Sequence, residues 1–394
     1  MKTSAFTLRP YQQQAAIEAV QFFKDPYQRY NAIEVLPTGS GKSLIIASVA
    51  TELDAPTVVF QPSLEILEQN YAKFQAYGFT PAIYSASAGS KQVGHITLAT
   101  IGTAIRDPSI FHKCRHIIID EAHLVNPKSG MYSTFLQAIP NAKTLGLTAT
   151  PFRLASTGMG SMLKFLTRTR PRVFSKLIYY VQTGDLFEQG FLAPMKYYSP
   201  HPFDRSKLKL NSTGTDFDDA SLRRYYNQTG FPNALLDMVR RAAGARKNVL
   251  VFTRFIEESQ NLVNHLDGTA AIVTGSTPKA QRRKLIADFK SGIIKVICNV
   301  GVLTTGFDYP ELETIIVARP TRSLALWYQM AGRASRPHVQ KPNAVIVDMC
   351  GNLALFGTMQ DMKIINTGGE KWALASRSRL LTNVFFDEPF SKPK

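Results

Sequence analysis

Short apolar runs rich in β-branched residues recur along the whole chain, and each leads into a helical or turn-like stretch. Apolar strands separated by helices are typical of parallel sheets that are buried on both faces. Five such runs fall in each half of the chain, which predicts two sheets rather than one. The predicted strands are residues 32–36, 57–61, 96–99, 116–120 and 144–147, followed by 248–252, 270–273, 295–299, 314–318 and 344–347.

The rhythm of strands and helices is interrupted once, between residues 201 and 230, where Pro, Asp, Ser, Asn and Gly accumulate. A chain of 394 residues is long enough for about two or three domains. We therefore expect an α/β protein with a first domain at 1–200, an interdomain connection at 201–230, a second domain at 231–360 and a tail at 361–394.

The net charge of +17 is the unusual bulk property of this sequence. Such an excess of positive charge attracts polyanions such as nucleic acid. The alternative is a positive charge that serves solubility alone. Cys114, Cys298 and Cys350 lie far apart, so neither a disulfide framework nor a zinc site is predicted. No apolar run is long enough to span a bilayer and the first residues lack the apolar core of a secretory signal. We expect a cytoplasmic protein, of a bacterium or a phage-infected host, without membrane contact.

A glycine-rich loop at residues 37–43, Pro-Thr-Gly-Ser-Gly-Lys-Ser, follows the first predicted strand and opens a predicted helix. Glycines let backbone N–H groups surround phosphate oxygens, and the helix amino terminus adds partial positive charge. Lys42 would reach the β- and γ-phosphates of ATP and the Ser43 hydroxyl would bind Mg²⁺. Leu36 stands where the strict phosphate-loop pattern has glycine. A glycine-rich turn without a ligand is the alternative.

A pair of adjacent carboxylates, Asp120 and Glu121, comes at the carboxyl end of the predicted strand 116–120. Ligands bind at this edge of open α/β sheets. Asp120 is placed to hold Mg²⁺ through water, and Glu121 to orient and deprotonate an attacking water, whereas helix capping is the minor alternative. For His123, a coupling role and an ordinary buried histidine both remain open.

Two arginines, Arg333 and Arg336, belong to a stretch at 327–336 with helical composition that Pro337 ends. At a spacing of three residues they share one face of a helix, and guanidinium groups bind phosphate oxygens bidentately. An arginine finger stabilises the transferring phosphoryl group. Alone, such arginines are ordinary surface ion-pairing residues; together with the phosphate loop, they predict an ATPase site shared by two lobes.

The assembled motifs resemble those of the superfamily 2 helicases, which have two tandem RecA-like domains, and the resemblance runs from Leu8 to Val347 in family order. It implies that each domain is a mainly parallel sheet covered by helices on both faces, and that ATP and Mg²⁺ are the cofactors. The nucleotide-binding positions implied are Gln12 of the Q motif, Thr38, Gly39, Ser40, Gly41, Lys42 and Ser43 of motif I, Asp308 of motif V and Gln329 of motif VI. Asp120 to His123 is motif II in its DEAH spelling, and Thr148 and Thr150 of motif III would couple ATP state to strand grip.

Within this superfamily, the segments LRPYQ, GLTATPFRL and VLTTGFDYP are most similar to bacterial RadD-type DNA-repair helicases and their phage relatives. The resemblance implies a cysteine-rich extension after the second domain, and the 394 residues of this sequence do not include one. We therefore expect a compact or phage-encoded version.

The resemblance also implies positions that hold the sugar-phosphate backbone without reading sequence: Ser63 (motif Ia), Thr100 and Gly102 (Ib), Thr253 and Arg254 (IV), and Thr304 and Thr305 (V). Ser63 is equally well explained as a helix cap. The basic stretch 164–172 is either a duplex contact or a solvated charged face, and 282–284 is expected to be a plain helix face.

The function expected from these features is that of an ATP-dependent DNA helicase or translocase, acting on single-stranded or branched DNA in replication, recombination or repair and monomeric when free. An RNA helicase remains open, as does an ATP-gated clamp that binds nucleic acid without unwinding it.

Overall fold

The computed structural model describes residues 7–157, 160–304 and 307–384. Its strands are β1 Ala32–Val35, β2 Thr57–Gln61, β3 Ala82–Ser85, β4 Ser90–Lys91, β5 Ile96–Thr100, β6 His116–Asp120, β7 Lys143–Thr148, β8 Phe152–Thr157, β9 Gly160–Phe165, β10 Lys176–Tyr180, β11 Met195–Tyr198, β12 Val249–Thr253, β13 Ala270–Thr274, β14 Val296–Val300, β15 Thr314–Ala318, β16 Ala344–Asp348, β17 Met362–Asn366, β18 Trp372–Ser376 and β19 Arg379–Leu380.

The helices lie mostly between these strands. They are α1 Pro10–Lys24, α2 Lys42–Glu52, α3 Leu64–Ala76, α4 Ile101–Ala104, α5 Met131–Ala138, α6 Thr183–Glu188, α7 Asp219–Thr229, α8 Phe231–Ala245, α9 Ile256–Asn264, α10 Lys279–Lys290, α11 Leu324–Ala331 and α12 Asn352–Phe356. Among the residues that the structure describes, no helix has the length and apolar character needed to cross a membrane.

Two parallel sheets form the body of the protein, as the ten apolar runs predict. The first has the order β10-β1-β7-β6-β2-β5-β3-β4 and the second β11-β16-β15-β12-β14-β13; only β4 runs antiparallel to its neighbour. In β6, Ile117 and Ile119 pack into one apolar cluster while Ile118 packs into another. Both faces of the strand are therefore buried, and the expected fold class of mainly parallel sheets covered by helices is confirmed.

The boundary between the two lobes differs from the predicted one. Strand β11 lies inside the predicted first domain, yet it pairs with β16 in the second sheet. The predicted connection is not a plain linker either, because Leu222, Tyr225 and Tyr226 of α7 join the core of the second lobe. The polar composition of this stretch hides an amphipathic helix whose apolar residues are three and four apart.

The segment predicted as a tail from residue 361 folds into a three-stranded antiparallel sheet, β17-β18-β19, and residues 385–394 lie outside the described part. The side-chain amide of Gln182, which follows β10, donates to the Ile364 carbonyl at 2.8 Å and accepts from the Ile364 N–H at 2.9 Å. This small sheet is therefore attached to the first lobe through hydrogen bonds between the Gln182 side chain and the Ile364 backbone.

Candidate ATPase site

The phosphate loop connects β1 to α2 at the carboxyl edge of the first sheet. Gly39 and Gly41 have φ angles of 85° and 81°, in the left-handed region that glycine enters without steric cost. Helix α2 begins at Lys42, whose ammonium group donates to the Leu36 carbonyl at 3.4 Å. Leu36 itself is fully buried in the core, which explains an apolar residue at a position where the strict pattern has glycine.

Gln12 lies against this loop. Its side-chain amide donates to the Ser40 carbonyl at 2.7 Å, and the Tyr11 hydroxyl donates to the same carbonyl at 2.8 Å. A Cβ atom at position 41 would come within 2.5 Å of the Gln12 amide nitrogen, so the glycine is needed for space as well as for its φ angle. These contacts tie α1 to the loop, and the role of Gln12 at the adenine stays a prediction.

Asp120 and Glu121 lie at the carboxyl end of β6, with β7 between β6 and β1. Glu121 adopts a left-handed conformation, with φ 54° and ψ 53°, which is costly for a residue with a side chain and typical of functional sites. Its N–H donates to the Asp120 carboxylate at 2.9 Å. The two adjacent carboxyl groups are thus held in one place by a strained backbone.

The two carboxyl groups titrate in opposite directions. Burial and the charge of Glu121 raise the pKa of Asp120 above its usual range. Burial also acts to raise the pKa of Glu121, but Lys42, His123 and Arg333 outweigh it and lower that pKa below its usual range. A divalent cation beside Asp120 would offset the repulsion within the pair, so the donor set of Asp120 and the Ser43 hydroxyl fits Mg²⁺.

His123 connects the two lobes. Its Nδ1 lies 3.3 Å from the Glu121 carboxylate and 3.1 Å from the Thr148 hydroxyl, and its Nε2 lies 3.1 Å from the Gln329 amide nitrogen. The amide nitrogen can only donate, so Nε2 accepts and Nδ1 carries the proton. The Thr148 hydroxyl in turn accepts from the Thr150 N–H at 3.0 Å. The histidine therefore relates the carboxylate pair to motif III and to the second lobe.

The two arginines both reach the interlobe cleft, but not along one helix. Helix α11 ends at Ala331, and a 3-10 turn at Gly332–Ala334 follows, so the predicted helix through Arg336 is too long. Arg333 donates to the Phe307 carbonyl at 3.1 Å, and Arg336 pairs with Asp308 at 3.2 Å. Burial and the charge of Arg336 lower the pKa of Arg333 to about 10.

Among the residues that the structure describes, each guanidinium also has a buried nitrogen without a hydrogen-bond partner, Nε in Arg333 and Nη1 in Arg336. Buried donors of this kind are costly unless a ligand satisfies them. Two adjacent cations with unsatisfied donors, close to a phosphate loop, are therefore suited to bind an anion.

Direct contacts join the second lobe to the phosphate loop. The Ser335 hydroxyl lies 3.3 Å from the Thr38 carbonyl and 2.8 Å from the Gly332 carbonyl, and both are acceptors for its one proton. A Cβ atom at Gly332 would come within 2.8 Å of the Thr38 side chain, and one at Gly39 would come within 2.8 Å of the Ser335 hydroxyl. Sequence reasoning missed Gly332 and Ser335 as contact residues, although a glycine directly before the first arginine and a serine between the two are the signal of a close approach.

The predicted backbone-binding residues are not all brought together. Gly102 is exposed, Thr304 is half-buried, and Thr305 lies outside the described residues. The Ser63 hydroxyl caps α3 by accepting from the Ile66 N–H at 3.3 Å, and the Thr100 hydroxyl donates to Ser85 at 3.0 Å.

Motif IV differs most from the prediction. Thr253 is 1% exposed and its hydroxyl is hydrogen-bonded to Ser259 at 2.7 Å. Arg254 pairs with Asp216 and Asp219, each at 2.8 Å. Both side chains are therefore engaged inside the second lobe, because strand β12 points Thr253 into the core and the predicted linker supplies the carboxylates.

A cleft of about 970 Å³ lies between the two lobes, and Ser63, Gly301 and Val302 are among the residues that line it. Helix α10 crosses it, because Arg282 pairs with Glu65 at 3.5 Å and Arg283 with Glu68 at 3.2 Å. The expectation of a plain helix face at 282–284 is therefore wrong for two of its residues. The sequence carries no signal for these pairs, since 215 residues separate Arg283 from Glu68.

Comparison with known families agrees with this architecture. The family model of the type III restriction enzyme res subunit matches residues 5–153, and the helicase conserved C-terminal domain matches residues 231–338. The two matches fall on the two lobes in family order. The chain belongs to the superfamily 2 helicase family, and it is an ATP-hydrolysing enzyme of the helicase type.

The curated relatives have low sequence identity to this chain, but the similarity covers most of its length. A 51.5 kDa protein of a Lactococcus phage (isolate 7-9) is 29% identical over 85% of this chain and 70% of its own length. The putative ATP-dependent helicase IRC3 of Saccharomyces cerevisiae is 27% identical over 88% of this chain, which spans 52% of that protein. The DNA 3'-5' translocase XPB2 of Sulfurisphaera tokodaii is 24% identical over 84% of this chain and 78% of its own.

Solved structures with the same fold include restriction enzymes. The ATP-dependent type ISP enzyme LlaBIII bound to DNA matches 88% of this chain with a TM-score of 0.64 and 16% identity, over 28% of its own length. A fragment of a putative HsdR subunit from Vibrio vulnificus YJ016 matches 89% of this chain with a TM-score of 0.64 and 20% identity, over 65% of its length. At such identities the likeness concerns the fold.

Proposed function

We propose that this protein is a DNA helicase or translocase that moves along nucleic acid by hydrolysing ATP between its two lobes. The observation that carries the proposal is the buried, unsatisfied pair of guanidinium donors of Arg333 and Arg336, close to the phosphate loop. An ATPase of one domain would not need cations from a second lobe. The similarity to a DNA translocase and to a DNA-bound restriction enzyme favours DNA over RNA.

In the proposed reaction, the backbone N–H groups of residues 39–43 and the Lys42 ammonium bind the phosphates of ATP. Ser43 and Asp120 would hold Mg²⁺, which supplies charge neutralisation on the phosphate oxygens. Glu121 accepts a proton from the attacking water as the bond to the γ-phosphate breaks, and ADP and phosphate leave. Arg333 and Arg336 stabilise the negative charge that develops during this transfer.

Coupling to movement would run through His123. Its ring contacts the Glu121 carboxylate, the motif III hydroxyl of Thr148 and the amide of Gln329 in the second lobe. Loss of the γ-phosphate changes the charge beside Glu121 and Arg333, and hence the contacts that hold the lobes together. Because the lobes would hold successive backbone positions, each cycle would advance the protein along one strand.

The finer assignment is to a RadD-like, DEAH-type enzyme acting as a monomer on single-stranded or branched DNA in replication, recombination or repair. The DEAH spelling of residues 120–123 and the similarity to a phage protein support it.

ATPase rates measured without nucleic acid and with single-stranded DNA, forked DNA or RNA test the proposal, with Lys42→Ala as the inactive control. We expect the strongest stimulation by DNA and displacement of a strand from a fork. An enzyme that none of these nucleic acids stimulates would not be a motor. Stimulation by RNA alone would identify an RNA helicase, and stimulation without strand displacement or translocation would identify a clamp.

A further inference from the structure

Two adjoining cavities, of about 560 and 530 Å³, open on the first lobe away from the ATPase site and share Arg172 and Ser175 in their lining. Their walls carry eight cationic side chains and one carboxylate, Glu370. We call this set the basic rim: Arg29, Arg115, Lys143, Lys164, Arg168, Arg170, Arg172 and Lys371.

The basic rim is located at the amino ends of the strands of the first sheet. Lys143 begins β7 and Arg115 immediately precedes β6, while Asn31 in the lining immediately precedes β1. The phosphate loop and the carboxylate pair follow the carboxyl ends of β1 and β6. At about 3.3 Å per residue, strands of this length separate the two edges by roughly 15–20 Å. The rim is therefore distinct from the ATPase site and from the interlobe cleft.

These cations are not neutralised by neighbouring carboxylates. Among the described residues, no member of the rim takes part in an ion pair within 4.0 Å. The Lys143 ammonium is directed at backbone carbonyls, including that of Phe22 at 3.1 Å. Burial lowers the pKa of Lys143 against the opposing charge of Asp25, and the charge of Arg29 lowers it further. Like charges concentrated without partners favour a polyanionic ligand.

Segments distant in sequence build the rim together. They are the loop before β1, the turn before β6, the start of β7, the stretch from β9 to β10 and the hairpin between β17 and β18, which supplies Lys371. The Asn383 side chain accepts from the Phe165 N–H at 3.1 Å and donates to the Trp372 carbonyl at 2.9 Å. The carboxyl-terminal sheet is thereby fixed beside β9, which gives the rim a defined shape.

Cations rather than aromatic rings dominate the lining of the two cavities. Among the described residues that line the two cavities, Tyr30 is the aromatic one, and the Lys176 ammonium covers its ring at 4.8 Å from the centroid. Surfaces that hold single strands combine cations with aromatic platforms on which bases stack. Contacts to phosphates alone suit a duplex, whose bases are already stacked.

We propose that the basic rim is a second nucleic-acid surface, which binds the backbone of a DNA duplex. It rests on the proposed function in that the enzyme must bind DNA. The rim would hold a duplex segment at the edge of the first lobe opposite to the ATPase site, and it would raise affinity without selecting sequence.

The test replaces one exposed cation from each of three segments, as the triple variant Arg29→Gln, Arg172→Gln and Lys371→Gln. Binding of a labelled blunt duplex is measured as a function of salt. Three lost phosphate contacts should reduce the slope of log affinity against log salt by about 2 to 3 and weaken binding about 10-fold or more at moderate salt. Single-strand affinity and the ATPase rate without DNA should not change.

The matched control removes three exposed cations from the second lobe, Arg224→Gln, Arg240→Gln and Arg241→Gln. A conservative variant, Arg29→Lys, Arg172→Lys and Lys371→Arg, should retain wild-type binding. If the rim variant binds the duplex as well as the control variant does, the inference is overturned. The proposed function is then still intact, provided that the wild-type protein binds DNA. A wild-type protein that binds no DNA would overturn both.

Discussion

At the scale of single residues, Arg333 and Arg336 are the groups on which turnover should depend most. Each makes one contact within the second lobe and, among the described residues, has one buried nitrogen without a partner. The protein thus maintains two buried, unpaired guanidinium nitrogens at a cost in stability that a phosphate would offset. Such an arrangement is expected where a charged transition state must be met by donors that are already in position.

Replacing Arg336 by Ala should lower kcat for ATP by about 10³-fold or more, because a donor to the transferring phosphoryl group is lost. Binding of DNA should largely survive, since the change is at the ATP site. Steady-state ATPase assays with DNA present measure the effect. Arg377→Ala is the matched control, because Arg377 also pairs with a carboxylate at 3.2 Å, on the carboxyl-terminal sheet. Normal hydrolysis by Arg336→Ala would contradict the two-lobe site.

At the scale of elements, strand β1 contains a buried carboxyl group that sequence reasoning overlooked. Glu34 in this strand is 0% exposed, and neither of its carboxyl oxygens has a hydrogen-bond partner in the described part of the chain. Burial, and then the charge of Glu18, raise the pKa of Glu34 well above its usual range. Strand β1 leads into the phosphate loop, so a destabilising group has been kept in the element that positions the loop.

The pH dependence of stability should reveal this carboxyl group. A raised pKa means that the folded state binds the proton more tightly, so the free energy of unfolding falls as pH rises above the unfolded value of about 4.5. In Glu34→Gln that fall should be smaller, and the variant should be more stable than the wild type at pH 8 by about 1–3 kcal/mol. Urea unfolding at pH 5 and pH 8 measures it. Equal pH dependence in both proteins would contradict a buried, protonated Glu34.

At the scale of the whole molecule, the lobes touch through small residues. Gly332 has φ −65°, which any residue adopts, so its backbone does not require glycine. Space does, because a Cβ atom would meet the Thr38 side chain at 2.8 Å. The close approach of the two lobes at the ATP site therefore depends on the lack of a side chain at Gly332.

Gly332→Ala should push motif VI away from the phosphate loop and lower the DNA-stimulated ATPase rate by about 10–100-fold, because misplaced catalytic groups lose rate steeply. The thermal unfolding midpoint should change little. Gly244→Ala serves as the control, since a Cβ atom there, in α8, meets nothing within 4 Å. An unchanged rate in Gly332→Ala would mean that the contact between Gly332 and Thr38 is irrelevant to turnover.

Much of the molecule was visible in the sequence, and the parts that were not share a cause. All ten apolar runs are strands, because a buried parallel strand must be apolar on both faces and its residues are contiguous in sequence. Strands β10 and β11 were missed because their exposed residues, such as Lys176 and Lys196, break the apolar pattern. Likewise, the spacing of Arg333 and Arg336 indicated a helical face, whereas the chain tightens into a 3-10 turn after Ala331.

The sequence by itself determined the two parallel sheets, the glycine loop and the order of motifs, since each depends on residues that are neighbours in the chain. Tertiary structure alone decided which groups meet. It brings Gln329 to His123 and Arg283 to Glu68, and it assembles the cations of the basic rim. It also decided that Thr253 faces the core and that Arg254 is engaged with two carboxylates. Such contacts join residues far apart in sequence, and packing, rather than any local pattern, determines their distances.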